Sequence, residues 1–73
     1  MRNAIASERV RLGLSQSELG AMVGKDRSQI SRIESNPMSV DGSLLCELSR
    51  IFKCSADYLL GLSEERVPKY VQQ

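Results

Sequence analysis

The sequence contains no histidine and no tryptophan, and only two cysteines, two prolines, two tyrosines and one phenylalanine in 73 residues. Cys46 and Cys54 are too few ligands for a zinc site and too few bridges for a secreted disulfide scaffold. Cys46 is placed on an apolar helix face and is read as a buried packing residue. With no metal cluster, no phosphate-binding loop and no nucleophile beside a base, the chain is not expected to be an enzyme or to carry a cofactor or metal. Ser15, Ser28 and Ser31 have cap or surface roles open to them. The scarcity of aromatics leaves Leu, Ile, Val, Met and Ala to build the core, which favours helices over a sandwich or barrel. Met1 is followed by no apolar signal region, and no run is long enough to span a bilayer, so a cytoplasmic protein without a membrane partner is expected. Charge is almost balanced, 10 basic against 9 acidic residues, and by itself makes no case for nucleic acid.

One domain with one small core is the limit at this length, and dimerisation is a common way to stabilise such a core. The most organised stretch is residues 15–36, SQSELGAMVGKDRSQISRIESN. Ser15 with Glu18 makes a capping box, and Leu19, Met22 and Val23 follow at helical spacing. Gly24 ends that helix where positive φ is needed. Asp26 with Gln29 makes a second capping box, Ile30 and Ile33 continue an apolar stripe, and Asn36-Pro37 stops the second helix. Two short helices joined this tightly cross steeply, and Gly20 sits where the second passes closest. The outer face of the second helix is then Arg27, Ser28, Ser31 and Arg32, with Gln29 beside it.

The remaining elements follow the same logic. A first helix is expected over 2–12, with Ile5 and Leu12 on one face, Val10 or Ala6 flanking, and Arg9 oddly placed on that face. Gly13 ends it, and Leu14 before the Ser15 cap reads as a hydrophobic staple. After helices at 16–23 and 27–34, Asp41 caps a fourth helix over 42–52. Its apolar positions are Leu44, Leu45, Leu48, Ile51 and Phe52. Ser55 caps a fifth helix over 56–60, ended by Gly61. Residues 1–62 are read as the domain. Residues 63–73 are read as a polar tail and candidate dimer contact, with Val67, Tyr70 and Val71 scattered along it and Pro68 breaking any long helix.

The two-helix unit resembles the helix-turn-helix of the lambda-repressor-like family (Cro/C1-type regulators). The resemblance is carried by Gln16, Leu19-Gly20, Val23-Gly24, Ile30, Ile33 and Glu34, and by the ending Cys54-Ser55-Ala56-Asp57-Tyr58-Leu59-Leu60-Gly61. It extends from about Ile5 to Leu62. Two features depart from the family pattern: Lys25 replaces an apolar turn residue, and the loop after Asn36 lacks basic residues. The resemblance implies an all-α, compact five-helix domain with the helix-turn-helix at helices 2–3. It also implies a sequence-specific transcriptional regulator of double-stranded DNA, of phage or plasmid repressor type, binding a palindromic operator as a homodimer. No small-molecule ligand is expected. The alternative is an antitoxin or adaptor-type protein-binding module of the same fold.

On this reading Arg27, Ser28, Ser31 and Arg32 contact bases. An α-helix enters the major groove, and a guanidinium fork matches the two acceptors of guanine. Arg32 lies about 500° around the helix and about 7.5 Å along it from Arg27, so it reaches a second base or the flanking backbone. Lone arginines on a helix usually only solubilise it; the surrounding framework reverses that expectation. Gln16, Lys25, Gln29 and Ser35 are the backbone-contact candidates, although capping competes for Gln29. The family pairs an arginine at the position of Arg9 with the glutamate matching Glu34. Both charges interrupt apolar stripes here, so a partly buried salt bridge is expected. Tyr58, Leu59 and Leu62 are the candidate dimer interface, against ordinary packing beneath the fourth helix.

Overall fold

A computed structural model describes residues 4–67. The order is α1 (Ala4–Arg11), α2 (Gln16–Val23), α3 (Arg27–Ser35), a 3-10 turn (Pro37–Ser39), α4 (Gly42–Phe52) and α5 (Ala56–Leu59), with no strand among the described residues. Four of these helices begin at a side-chain cap. Ser15 Oγ accepts from the Glu18 N–H and the Glu18 carboxylate accepts from the Ser15 N–H, at 3.0 and 2.7 Å. Asp26 and Gln29 make the same reciprocal pair, at 2.8 and 3.0 Å. Asp41 accepts from the Leu44 N–H and Ser55 from the Tyr58 N–H. Each such cap satisfies an otherwise orphaned donor and contributes about 1 kcal/mol.

The core takes at least one fully buried side chain from every α-helix: Ile5, Leu19, Ile30, Leu48, Phe52 and Leu59. Burying each contributes roughly 1.5–3 kcal/mol. Leu14 packs partly buried against this cluster, as a staple before α2 should.

Several apolar positions fall elsewhere than the spacing suggests. Leu12 lies in the turn after α1 and is exposed, as is Val10, so Ile5 is buried without them. Met22 is more than half exposed, because Leu19 and Val23 already fill the inner face of α2. Cys46 is exposed, and Cys54 is the buried thiol. The inner stripe of α4 is Leu44, Leu48 and Phe52, and Cys46, two residues from Leu44, is about 200° around from it. Helix α1 begins within the described residues at Ala4, and residues 2 and 3 of the expected helix lie outside them. Helix α3 runs one residue further than expected, to Ser35, and α5 one residue shorter, to Leu59.

Two buried carboxylates tie distant parts of the chain together. Glu34 accepts from Arg9 Nε at 2.6 Å and from Gln16 Nε2 at 3.0 Å, while Arg9 Nη1 donates to the Leu14 carbonyl at 2.8 Å. The expected Arg9–Glu34 bridge is therefore present, and it joins α1, α2 and α3. Glu8 forms the second centre. Arg66 donates two 2.8 Å bonds to it, and Arg11 a 3.0 Å bond. Arg66 Nη2 also donates to the Phe52 carbonyl at 2.6 Å, and the Arg66 carbonyl accepts from the Ser55 N–H at 2.7 Å. Residues up to Arg66 are thus folded back on α1 and the end of α4. The arginines hold the Glu8 carboxyl below the usual carboxylate range, the Arg66 hydrogen bonds most of all, against the opposing effect of burial. Tyr70 and Val71 lie outside the described residues.

Candidate nucleic-acid interface

Helices α2 and α3 meet at a corner set by Gly20 and Gly24. Gly24 takes φ 71°, ending α2 with a left-handed residue. The Lys25 N–H then donates to the Gly20 carbonyl at 2.8 Å. A Cβ on Gly20 would lie 2.5 Å from the Lys25 carbonyl oxygen and 3.4 Å from Ile30 Cγ1. Only glycine lets the turn and the start of α3 approach this closely.

The corner leaves one face of α3 outward. Arg27, Ser28, Gln29, Ser31 and Arg32 are all exposed, whereas Ile30, Ile33 and Glu34 are buried. Neither Arg27 nor Arg32 makes a hydrogen bond or ion pair with the described residues, so none of their donors is taken up by these. They stand on two flanks of the helix. Arg27 lines a cleft with Gln16, Asp26, Ser28 and Ser31. Arg32 lines a separate groove with Lys25, Gln29, Ser39 and Asp41, between α3 and the start of α4. Arg27 opens the helix and Arg32 lies in its last turns, so they reach different parts of any groove the helix enters.

The polar neighbours are more committed than their residue types suggest. Gln16 donates to Glu34, which leaves its second amide hydrogen and its carbonyl oxygen without a partner among the described residues. Gln29 spends its carbonyl oxygen on the Asp26 N–H, leaving its amide donors. Ser28 Oγ donates to Asp26 Oδ1 at 2.8 Å, and the same oxygen accepts from the Gln29 N–H. The Gln29 N–H foremost, then the Ser28 hydroxyl, hold the Asp26 carboxyl below its ordinary range, with the Arg32 charge adding a smaller contribution. Lys25 is half-buried at the turn and Ser35 is exposed at the last residue of α3. Ser35 is about 12 Å along the helix from Arg27.

The helix-turn-helix family model matches residues 5–59. The chain belongs to the lambda-repressor-like (Cro/C1-type) helix-turn-helix family. Across 60 residues it is 38% identical to repressor protein C2 of Salmonella phage P22, a match that covers 82% of this chain and 28% of that protein. The chain therefore spans less than a third of that relative's length. No solved structure matches the chain significantly. The matched span takes in α2 and α3, the corner described above. No helix of the described residues is long and apolar enough to cross a membrane.

The α5 region is the one part of the sequence-derived site that the structure corrects. Leu59 is 0% exposed and belongs to the core, so its side chain is not available to a second copy. Tyr58 is half-buried against the core, and Leu62 is 67% exposed. In a four-residue helix one position must point inward to hold α5 against α1 and α4, and Leu59 takes that position. Sequence reasoning missed Glu8 and Arg66 as partners. The only local signal was a glutamate one residue before Arg9 and three before Arg11; nothing nearby pointed to a partner 58 residues away.

Proposed function

We propose that the chain binds double-stranded DNA in a sequence-specific manner and regulates transcription as a repressor, by occupying a promoter. The observation that carries this reading is the outward pair Arg27 and Arg32, exposed and without a partner among the described residues, on a helix held by two neighbours. In the major groove Arg27 takes a guanine through its O6 and N7 acceptors, and Arg32 takes a second base or the adjoining backbone. Ser31 is small enough for close approach. Lys25, Ser35 and the remaining amide hydrogens of Gln16 and Gln29 serve the phosphates. So few cations neutralise few phosphates, so the salt dependence of binding is shallow. The phage relative's name, a repressor, supports repression over activation.

The finer reading is a homodimer on a palindromic operator. Exposed Leu62 and half-buried Tyr58 supply the contact, with Val67, also exposed, beside them in sequence. Two-fold symmetry would set the two recognition helices about 34 Å apart, one turn of duplex. Binding-site selection from a random duplex pool tests the whole reading. An enriched inverted repeat with half-sites one turn apart is expected, with Arg27→Ala and Arg32→Ala abolishing binding at an almost unchanged thermal midpoint. A pool that enriches nothing, or affinity that survives both substitutions, contradicts it.

A further inference from the structure

The DNA-facing end of α3 is not made of donors alone. Asp26 and Ser28 are both exposed and line the same cleft as Arg27. The Ser28 hydroxyl hydrogen is committed to Asp26 Oδ1, which also takes the Gln29 N–H. Two consequences follow. Ser28 Oγ, having given up its hydrogen, can only accept from a third group. Asp26 Oδ2 carries no hydrogen bond among the described residues, and as part of a carboxylate it too can only accept. The cleft thus holds two acceptors beside the donor fork of Arg27.

A duplex offers few partners for such a pair. Phosphates repel it, and guanine O6 and N7, adenine N7 and thymine O4 are themselves acceptors. In the major groove the available donors are the exocyclic amino groups, N4 of cytosine and N6 of adenine. We propose that Asp26 and Ser28 form a two-acceptor element that selects a base bearing an exocyclic amino group, next to the guanine taken by Arg27. The inference rests on the DNA-binding reading above and adds a second specificity position to it. It also narrows the role of Ser28, a hydroxyl whose polarity is fixed by its neighbour. Asp26 remains ionised at neutral pH, since its hydrogen bonds from Gln29 and Ser28 favour the charged form. Its acceptor character is therefore constant across the working range.

The test is binding-site selection with the full chain, the Asp26→Asn variant and the Ser28→Ala variant, each with a thermal melt. Asparagine keeps the cap but offers a donor as well as an acceptor. The wild type should prefer cytosine or adenine over thymine and guanine at one position beside the Arg27 guanine, by roughly tenfold. Asp26→Asn should flatten that preference to about twofold or less while the rest of the site is kept, and Ser28→Ala should weaken it in the same column. Which amino base dominates the wild-type column separates cytosine from adenine as the ligand. If Asp26→Asn strengthens binding to every sequence equally and leaves that column unchanged, the carboxylate is only a cap and the proposal is overturned while DNA binding stands. If the wild type enriches no duplex, both readings fall.

Discussion

Gly20→Ala sets two effects of opposite sign against each other. Alanine is the better helix former, and at an unconstrained helix position the exchange would stabilise the fold by about 1 kcal/mol. At Gly20 the new methyl would sit 2.5 Å from the Lys25 carbonyl oxygen and 3.3 Å from its carbonyl carbon. These are backbone atoms, in a turn held by the bond from the Lys25 N–H to the Gly20 carbonyl. No side-chain rotation relieves the clash, so the turn itself must shift. Overpacking typically costs about 1–3 kcal/mol, and a rigid backbone obstacle places this site at the upper end. The net expectation is a loss of about 1–2 kcal/mol, or a fall in melting midpoint on the order of 5–15 °C for a domain of this size. Far-UV circular dichroism melts of the wild type and Gly20→Ala measure it. Ala21→Gly, on the exposed side of the same helix, is the control and should lose about 1 kcal/mol from propensity alone. Displacing the turn also moves Arg27, so DNA affinity should fall further than the lost stability explains. A Gly20→Ala protein that melts at or above the wild-type temperature would refute the close-approach argument.

Arg66→Ala should cost about 2–3 kcal/mol in urea unfolding, below the usual penalty for orphaning a buried charge because Arg66 is partly exposed and Arg11 remains beside Glu8. Because the Glu8 carboxyl titrates lower in the folded protein than unfolded, its contribution is complete above the unfolded pKa and disappears as pH falls through the folded one. The acid-side decline in melting temperature, below the ordinary value of 4.5, should therefore be shallower in Glu8→Gln than in the wild type. Thiol titration at pH 8 should modify Cys46 quickly and Cys54 only on unfolding, since Cys54 is buried and burial, foremost, pushes its thiol up to about 11. Lys53 caps α4 at φ 56°, and Lys53→Gly should raise stability by about 0.5–1 kcal/mol in the same melts.

What could be read from the sequence was what local chemistry decides. Ser15 with Glu18, and Asp26 with Gln29, act over three residues, and they place the starts of α2 and α3 where the structure has them. The Gly24 turn is local in the same sense. The inner stripe of α4 was legible at Leu44, Leu48 and Phe52, but adjacent Cys46 was misjudged because an apolar run hides which of its members faces inward. Leu59 was misassigned for a related reason: a four-residue helix is too short for periodicity to separate its inner face from its outer one. The Arg9–Glu34 pair was accessible because the family resemblance pairs these two positions, and because both charges interrupt apolar stripes. Glu8 and Arg66 met no such rule, since their pairing depends on the chain folding back after α5. At the candidate site, residue types named the outward face correctly, as its exposure shows. They did not reveal that Ser28 and Gln16 are already partly engaged, by Asp26 and Glu34, because that depends on side-chain geometry.

The most direct test of the central claim, that the corner of α2 and α3 presents Arg27 to a base edge, is a cycle between protein and operator. Once selection has given a site, affinity is measured for wild type and Arg27→Ala, each against the selected duplex and against one in which the guanine opposite Arg27 is replaced. The base change should cost the wild type about 1–3 kcal/mol and cost Arg27→Ala close to nothing. Equal penalties in both proteins would mean that Arg27 does not read that base, and the account of the interface would be wrong.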